Sequence, residues 1–315
     1  MRRGGWLVCA VVLAACDAGP TFVVGDPVPA GGRIFFVRTP LDPVAGVSGA
    51  LHMTIDDAFR AVPVAPRDVA PIVSPDGRHL AWTRTSWPDG YSARSVTRFY
   101  SYDRHTGDTT IVIPEEMRAG SLSWSRAPIR LAFVRTPRDG GPGVFVTTES
   151  DGSDLRMPLG ETAVAGSQPS ISPDAREVAV IRDRRLELVD LGTGMRRQLT
   201  PVPDSGTYVT LSSPAWSPDG RMIAMSVAES FSPQIILRVV DRLGAIRHEL
   251  EVHDWPSYTT WAPDGERLAF CVSLPDPARG RYRYRQEVRI WHMARGEVVT
   301  ITPPDVSDCA PTWTR

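Results

Sequence analysis

A sequence motif of the type Pro-x-Trp-Ser-Pro-Asp-Gly recurs along this chain. Its clearest copy is at the start of residues 214–225. Proline at the second place of the turn holds φ near about −65°, which suits a type I turn. Glycine at the fourth place accepts the left-handed backbone that closes a hairpin. The short apolar runs on either side predict two buried strands. One such hairpin cannot bury its own surface, so its repetition decides the fold.

The motif occurs five times, and the residues that open its turns are regularly spaced. These residues are Ser74, Ser125, Ser172, Ser217 and Ala262, which lie 51, 47, 45 and 45 residues apart. A second predicted hairpin follows each copy, so each unit contains four strands. Units of this length and strand number are typical of β-propeller blades. The sequence therefore predicts an all-β propeller with four antiparallel strands per blade.

The two ends of the chain supply a sixth predicted blade. Residues 309–315 read as a first strand without a second, and residues 31–37 read as a second strand without a first. Residues 51–55 and 61–64 would complete the blade. Sharing one blade between the termini closes the ring and removes exposed strand edges. We therefore expect a six-bladed β-propeller over residues 31–315.

The boundaries of the predicted blades follow the repeat. The shared blade comprises residues 31–66 and 308–315, and the other blades comprise 67–118, 119–163, 164–205, 206–253 and 254–307.

The repeated motif resembles the PD40 (WD40-like) repeat of TolB-type propellers, Pro-x-Trp-Ser-Pro-Asp-Gly-x-x-Ile/Leu-Ala-Phe. The resemblance covers residues 31–315, and four copies keep Pro-Asp in the turn. It implies the fold but not the activity, because unrelated functions share propellers. TolB has an α/β domain ahead of its propeller. The segment between Cys16 and the first predicted strand is too short for that domain, so TolB's N-terminal contacts are not implied here.

The N-terminus resembles the export signal of a bacterial lipoprotein. A basic start is followed by an apolar run over residues 6–15, which is shorter than the roughly 20 residues of a membrane span. The run ends in Leu-Ala-Ala-Cys at Cys16, which matches the lipobox, whose cysteine becomes the lipidated N-terminus. An ordinary secretory signal with a chance cysteine is the alternative. We expect a signal peptide over 1–15, a lipidated tether over 16–30, and a protein anchored to a membrane facing the periplasm or cell exterior.

Two cysteines remain after export, Cys271 and Cys309. An even number of cysteines in an exported protein permits a disulfide. The predicted strands place both residues at the same end of neighbouring blades, so a bridge between them is one expectation. Two separate thiols are the other.

Composition excludes several kinds of chemistry. The formal net charge is −1, which gives no support for a nucleic-acid partner. The chain contains no lysine, so all 35 basic residues are arginine. Schiff-base catalysis and a lysine-containing phosphate-binding loop are therefore excluded.

The most conspicuous acidic and aromatic residues follow the repeat. An aspartate in such a turn usually bonds its own backbone, and repetition favours this structural role over metal binding or catalysis. The four tryptophans are expected to pack between blades, with a channel lining as the alternative. The residues concerned are Asp76, Asp174, Asp219 and Asp264, and Trp124, Trp216, Trp261 and Trp313.

No catalytic or metal-binding constellation is predicted. His248 and His253 suggest a zinc-protease motif at first sight, but they lie five residues apart in a predicted strand rather than four apart on a helix. Residues alternating along a strand point to opposite sides. No Gly-x-Ser-x-Gly elbow occurs. We therefore predict no metal, no cofactor and no catalytic residue.

Binding is expected at the end of the propeller opposite the Ser-Pro-Asp-Gly turns, because the longer and less uniform loops meet there. Arginine and tyrosine in such loops are typical of interfaces. The alternative for residues 279–285 is a lengthened third strand with tyrosine and arginine on opposite sides. The candidate residues are Trp87, Tyr91, Arg135, Arg138, Tyr208, Trp255, Tyr258, Arg281, Tyr282, Arg283 and Tyr284.

The sequence thus predicts a membrane-anchored scaffold that binds a protein or a cell-envelope polymer. The competing hypothesis is an enzyme that acts on a carbohydrate or another anionic polymer at the same end. A third is a largely structural envelope protein.

Overall fold

All regular elements in the described part of the chain are β-strands. The structure, a computed structural model, describes residues 21–24, 33–40, 53–55, 60–62, 68–86, 96–136, 143–160, 167–201, 209–229, 235–254, 256–276, 284–302 and 306–314. The all-β class predicted from the apolar runs and the turn residues is confirmed.

Three consecutive sheets each contain four antiparallel strands in chain order. In each, the first strand ends in the repeated turn and the second strand starts directly after it, as the hairpin pattern predicts. The strands are β11 (Ser167–Ile171), β12 (Glu177–Arg182), β13 (Arg185–Asp190) and β14 (Arg196–Gln198); β15 (Val209–Trp216), β16 (Met222–Glu229), β17 (Ile235–Asp241) and β18 (Ile246–Val252); and β19 (Ser257–Trp261), β20 (Arg267–Pro275), β21 (Tyr284–His292) and β22 (Glu297–Thr300).

The first two repeat units share one six-stranded antiparallel sheet. Its strands are β5 (Asp68–Val73), β6 (His79–Ser86), β7 (Val96–Asp103), β8 (Thr109–Trp124), β9 (Leu131–Thr136) and β10 (Val144–Thr148). The 16-residue strand β8 is the last strand of the first unit and the first strand of the second. The prediction of six separate blades is therefore wrong: the described strands form five sheets of three or more strands.

The two termini share a sheet, as predicted. β2 (Arg33–Pro40) lies between β1 (Thr21–Val24) and β23 (Val306–Thr314), with Ile34 opposite Trp313. The third strand of this sheet, counted outward from β23, is β1, which comes from the segment predicted to be a tether. The predicted third and fourth strands form instead a separate ribbon of β3 (Met53–Ile55) and β4 (Arg60–Val62). Both expectations for this sheet are corrected accordingly.

The first strands of the repeats form a closed ring. In order around it lie β5, β8, β11, β15, β19 and β23, and β23 lies next to β5 again. We call these six the inner strands. Sheets arranged radially around such a ring make a β-propeller, which confirms that part of the fold prediction.

The hydrophobic core lies between neighbouring sheets. Leu186 and Leu188 of one sheet pack against Leu211, Trp216 and Val227 of the next, and all five are buried. Because each sheet buries one face against the sheet before it and one against the sheet after it, its strands are apolar on both faces.

Tryptophans at one repeat position join adjacent inner strands. The Nε1–H group of Trp216 donates to the carbonyl of Ser170 at 3.0 Å, and that of Trp261 donates to the carbonyl of Ala215 at 2.9 Å. Trp124 makes a longer bond of the same kind, 3.4 Å, to the inner strand before it. These rings pack between sheets, which was the favoured interpretation.

Where the repeat lacks a tryptophan, a backbone N–H makes the junction. Val73 donates to Oγ1 of Thr312, and Ile171 donates to Oγ of Ser123, both at 3.1 Å. At the junction of β19 and β23, the guanidinium of Arg267 lies 5.2 Å from the ring centre of Trp313. Five of the six neighbouring pairs of inner strands thus share a hydrogen bond at or beside this repeat position, and at the sixth Trp313 contacts Arg267 of β20.

Glycine is required where the turn after the third strand of a repeat unit approaches the preceding unit. Gly244 has a φ of 87°, and a Cβ on it would collide with the carbonyl oxygen of Leu199. Gly152 has a φ of 81°, and its Cβ would lie 2.6 Å from the carbonyl oxygen of Val112, in the part of β8 that belongs to the first unit of the shared sheet. These turns hold each repeat unit against the unit before it.

We predict that Gly244→Ala lowers the free energy of unfolding by about 3 kcal/mol, because it adds a steric collision to an unfavourable backbone conformation. Gly296→Ala is the matched control, since Gly296 has a φ of 66° but no atom near its added Cβ. The control should lose only about 1 kcal/mol. Urea unfolding of the two variants measures the difference, and equal losses would contradict the close packing of this turn.

Candidate functional site

The ring has two chemically different ends. The turn end carries the Ser-Pro-Asp-Gly turns, where the inner strands finish and the second strands begin. The loop end is the opposite one, where second strands such as β16 and β20 finish and third strands such as β21 begin.

The aspartates at the turn end hold the turns. Asp219 accepts hydrogen bonds from the Ser217 hydroxyl at 2.6 Å and from the Arg221 backbone N–H at 3.0 Å. Burial acts to raise the pKa of Asp219, but these hydrogen bonds lower it overall. Asp76 and Asp174 make the same serine contact. The structural role that repetition predicted for these carboxylates is what the geometry shows.

Ion pairs occupy further charged groups of the turn end. Arg242 binds Glu177 of the preceding sheet. Arg267 binds the turn residue Asp264 through two nitrogens, and both side chains are largely buried. Such paired groups contribute to the packing of the ring and offer little to an incoming ligand.

A histidine, a serine and an aspartate meet at the turn end, and the sequence analysis did not anticipate this cluster. Nε2 of His79 lies 3.2 Å from Oγ of Ser150 and 3.7 Å from a carboxylate oxygen of Asp103. A catalytic triad uses one ring nitrogen for the serine and the other for the carboxylate. Here one nitrogen faces both groups, so the arrangement does not relay a proton from serine to aspartate.

The same region contains a depression of about 450 Å³ lined by Asp76, Gly77, Arg78, Arg104 and His105. Its cations are already engaged. Arg78 forms a two-nitrogen ion pair with Asp103 and holds the pKa of that carboxyl well below its usual range. Arg104 donates to the Gly77 carbonyl at 2.6 Å. This depression is therefore a weak candidate for anion binding.

Every inner strand carries the same β-bulge towards the loop end. Between one ladder pair and the next, the inner strand advances three residues while its partner advances two. A bulge of this type leaves one extra residue and re-aims its side chain. The first bulge residues are Ala70, Ser121, Gln168, Ser213, Tyr258 and Ala310.

Tyr258 is the one aromatic residue among these six bulge positions. Its φ is 51°, a left-handed conformation that disfavours residues other than glycine, and its side chain is 44% exposed. Ala310 has a similar φ of 53° at the equivalent place. A strained, exposed aromatic residue gains little from packing, which makes Tyr258 a candidate binding residue.

The third strand of the sheet that contains Tyr258 is longer than the repeat requires. Tyr284 begins β21 and is 63% exposed. Arg285 next to it binds Glu287, and Arg289 binds the same buried carboxylate at 3.0 Å. The lengthened strand considered as an alternative is therefore present from Tyr284 onward. Arg135, in β9, is half-buried.

A short hairpin at the loop end adds arginines that the sequence analysis missed. Asp183 and Arg184 connect β12 and β13, and both have positive φ values, 49° and 63°. Arg182 lies 3.4 Å from the Asp183 carboxylate. Two positive φ values are what a tight type I′ turn needs, but Asp-Arg lacks the glycine that usually signals one. The sequence feature that indicated this hairpin was the apolar run on each side of Asp183 and Arg184.

Cys271 and Cys309 form a disulfide, with an S–S distance of 2.05 Å and a Cα–Cα distance of 5.2 Å. It joins β20 to β23, and hence the sheet of Tyr258 to the sheet shared by the termini. Of the two expectations for these cysteines, the structure shows the bridge.

The other predicted binding residues and the predicted lipidation site fall outside the described residues. They are Cys16, Trp87, Tyr91, Arg138, Tyr208, Trp255, Arg281, Tyr282 and Arg283. Of the predicted set, the structure places Arg135, Tyr258 and Tyr284 in strands that meet the loop end.

Within the described stretches, no group of three or more His, Cys, Asp or Glu side chains is placed to hold a metal ion. His248 lies in β18, an outer strand, and His253 follows that strand. The described part of the chain also has no helix long and apolar enough to cross a membrane.

Solved structures with a similar fold include TolB propellers and an enzyme. TolB from Acinetobacter baumannii has a TM-score of 0.63 and 15% identity, over 93% of this chain and 66% of that one. A putative TolB from Agrobacterium tumefaciens has a TM-score of 0.57 and 18% identity, over 81% and 93%. An oligogalacturonate lyase in complex with manganese has a TM-score of 0.55 and 14% identity, over 91% and 85%.

No protein-family model and no curated protein matches the sequence. The chain spans just under two thirds of the length of the A. baumannii TolB. At these identities the similarity shows the fold alone, because one propeller fold carries many unrelated functions. The chain is a β-propeller whose solved structural neighbours include TolB-like propellers.

We predict that Tyr258→Gly does not destabilise the protein, because glycine relieves the strained φ and the lost residue is 44% exposed. The free energy of unfolding should stay the same or rise by up to about 1 kcal/mol. Ala310→Gly is the matched control at the equivalent bulge. Urea unfolding provides the test, and a loss of more than about 2 kcal/mol for Tyr258→Gly alone would show that the ring packs into the fold.

Proposed function

We propose that this protein is a lipid-anchored bacterial envelope protein whose propeller is a binding scaffold for a protein or a cell-envelope polymer. The loop end carries the binding surface. We also propose that the ring counts as six repeat units, of which the first two share the six-stranded sheet.

The observation that carries the proposal is Tyr258. The ring repeats one bulge six times, and only this copy presents an aromatic side chain, at a cost in backbone strain. Tyrosine supplies a large contact area with few rotatable bonds and a hydroxyl that can hydrogen-bond a partner. The turn end exposes aliphatic side chains such as Leu243, but none of its repeat positions combines strain with an exposed aromatic ring, and its charged groups described above are engaged in turns and ion pairs.

Two observations support export and anchoring. The lipobox ending at Cys16 follows a basic start and an apolar run, as lipoprotein signals require. The bridge between Cys271 and Cys309 suits an oxidising compartment, because cytosolic thiols are normally kept reduced. Lipidation of Cys16 would tether the propeller to the outer face of a membrane.

The second candidate function is an enzyme that acts on an anionic polymer. The oligogalacturonate lyase among the structural neighbours is the observation in its favour. At the loop end, however, the buried carboxylate Glu287 is bound by Arg285 and Arg289, which gives it a structural role. The binding scaffold is therefore the stronger proposal.

Photo-crosslinking in intact cells tests the binding role. We replace Tyr258 with a photoreactive phenylalanine derivative, and place the same group at Leu243 as the control. Leu243 is 85% exposed in an outer turn at the turn end. The proposal predicts a discrete crosslinked product from position 258 and none from position 243. Products from both positions, or from position 243 alone, would contradict a partner bound at the loop end.

A further inference from the structure

The direction of β1 fixes where the chain enters the propeller. β1 runs antiparallel to β2, with Thr21 opposite Arg38 and Val24 opposite Phe35. β2 itself starts at the turn end, where Arg33 pairs with Thr314, and finishes at the loop end. Thr21 therefore lies at the loop-end side of β1.

The distance from Cys16 to the propeller is limited by chain length. Five Cα–Cα steps separate Cys16 from Thr21. A fully extended chain spans at most about 3.3–3.6 Å per residue, so the two Cα atoms are no more than about 18 Å apart.

The paired ends of β20 and β21 extend towards the loop end, beyond the level of Thr21, by a distance close to the length of this tether. Cys309 pairs with Val37, next to the partner of Thr21, and is bridged to Cys271, so these residues lie at a similar height. In β20, Pro275 lies four residues beyond Cys271 and pairs with Tyr284. At about 3.3 Å per residue, Tyr284 projects about 13 Å beyond the level of Thr21.

We propose that the loop end docks on the headgroup layer of the membrane that holds the Cys16 lipid, with Tyr284 as a contact residue. This inference rests on the lipid anchor of the proposed function. A tether of about 18 Å can lift a hairpin that projects about 13 Å by only about 5 Å, no more than the thickness of a headgroup layer. The sheet that carries Tyr284 is disulfide-linked to the sheet that the tether enters, so both share one position over the membrane.

The contact is interfacial rather than electrostatic. Tyr284 is 63% exposed, and tyrosine rings are enriched at membrane–water interfaces because one end is apolar and the other polar. Two arginines among the described residues of this end have acidic neighbours: Arg182 lies beside Asp183, and Arg285 binds Glu287. Docking should therefore depend on tether length and respond little to salt or to anionic lipid.

Docking also positions the bulge that carries Tyr258. Ser257 pairs with Cys271, so Tyr258 lies near the level of the disulfide, about 13 Å from the height of Tyr284. A partner that contacts Tyr258 must then enter the space between the propeller and its own membrane. The turn end faces away from the membrane.

Cysteine accessibility tests this orientation. Tyr284→Cys and, as the turn-end control, Leu243→Cys are made in the full-length protein, and each is labelled with a 5-kDa maleimide reagent. Labelling is measured on purified lipidated protein in vesicles of phosphatidylcholine, in detergent, and after insertion of a 20-residue Gly/Ser linker between Asp17 and Ala18. We expect at least tenfold slower labelling of the Tyr284→Cys variant than of the control in vesicles, and equal rates in detergent or with the linker.

The outcomes separate the two proposals. Incorporation of labelled palmitate, lost in Cys16→Ser, shows the anchor independently of orientation. Palmitate incorporation with equal labelling rates in vesicles would overturn docking and leave the proposed function standing. No palmitate incorporation would overturn the anchor and docking together. In native membranes, protection of the Tyr284→Cys variant that survives the linker would mean that a protein rather than lipid covers Tyr284, which overturns docking on lipid and leaves the proposed binding role standing.

Discussion

The ring depends on the contact that each inner strand makes with the inner strand before it. Tryptophan Nε1–H groups supply this contact for Trp216 and Trp261, and a backbone N–H supplies it for Ile171. The acceptor carbonyls of Ser170 and Ala215 belong to residues that directly follow the bulges. One repeat position therefore joins the sheets, and the bulge beside it marks the point where an inner strand leaves regular pairing.

This arrangement separates the two ends of the propeller. The turn end holds hydroxyl–carboxylate bonds such as Ser217–Asp219 and ion pairs such as Arg242–Glu177, which leave little free for a ligand. The loop end lies beyond the bulges, where side chains can vary without disturbing the junctions. Tyr258 occupies such a position at an energetic cost, which is why we propose it as a binding residue.

Local spacing predicted most of the fold. The 45- to 51-residue period, the Ser-Pro-Asp-Gly turns and the unpaired terminal strands predicted a four-stranded repeat and a ring closed by both termini. It did not predict that β8 would run unbroken through two units, because Ile113 to Gly120 contains the proline and charged residues that usually end a strand. The place of β1 was missed because four residues are too few to show a period.

The candidate site was less predictable. The sequence indicated which loops would meet, and Tyr258 was among the residues named, but the reason for its importance is a backbone angle that no residue pattern reveals. The hairpin at Asp183 and Arg184 was missed because two positive φ values there are set by the strands that flank it.

In the function proposed above, the loop end binds a protein or a cell-envelope polymer, and the turn end supports the ring. Hydrogen–deuterium exchange of the mature protein in native membranes, compared with the protein in detergent, tests this assignment most directly. We expect slower exchange in native membranes in the stretches 256–260 and 284–288, and unchanged exchange in 217–222. Slower exchange confined to 217–222 and the other turn-end stretches would contradict this assignment.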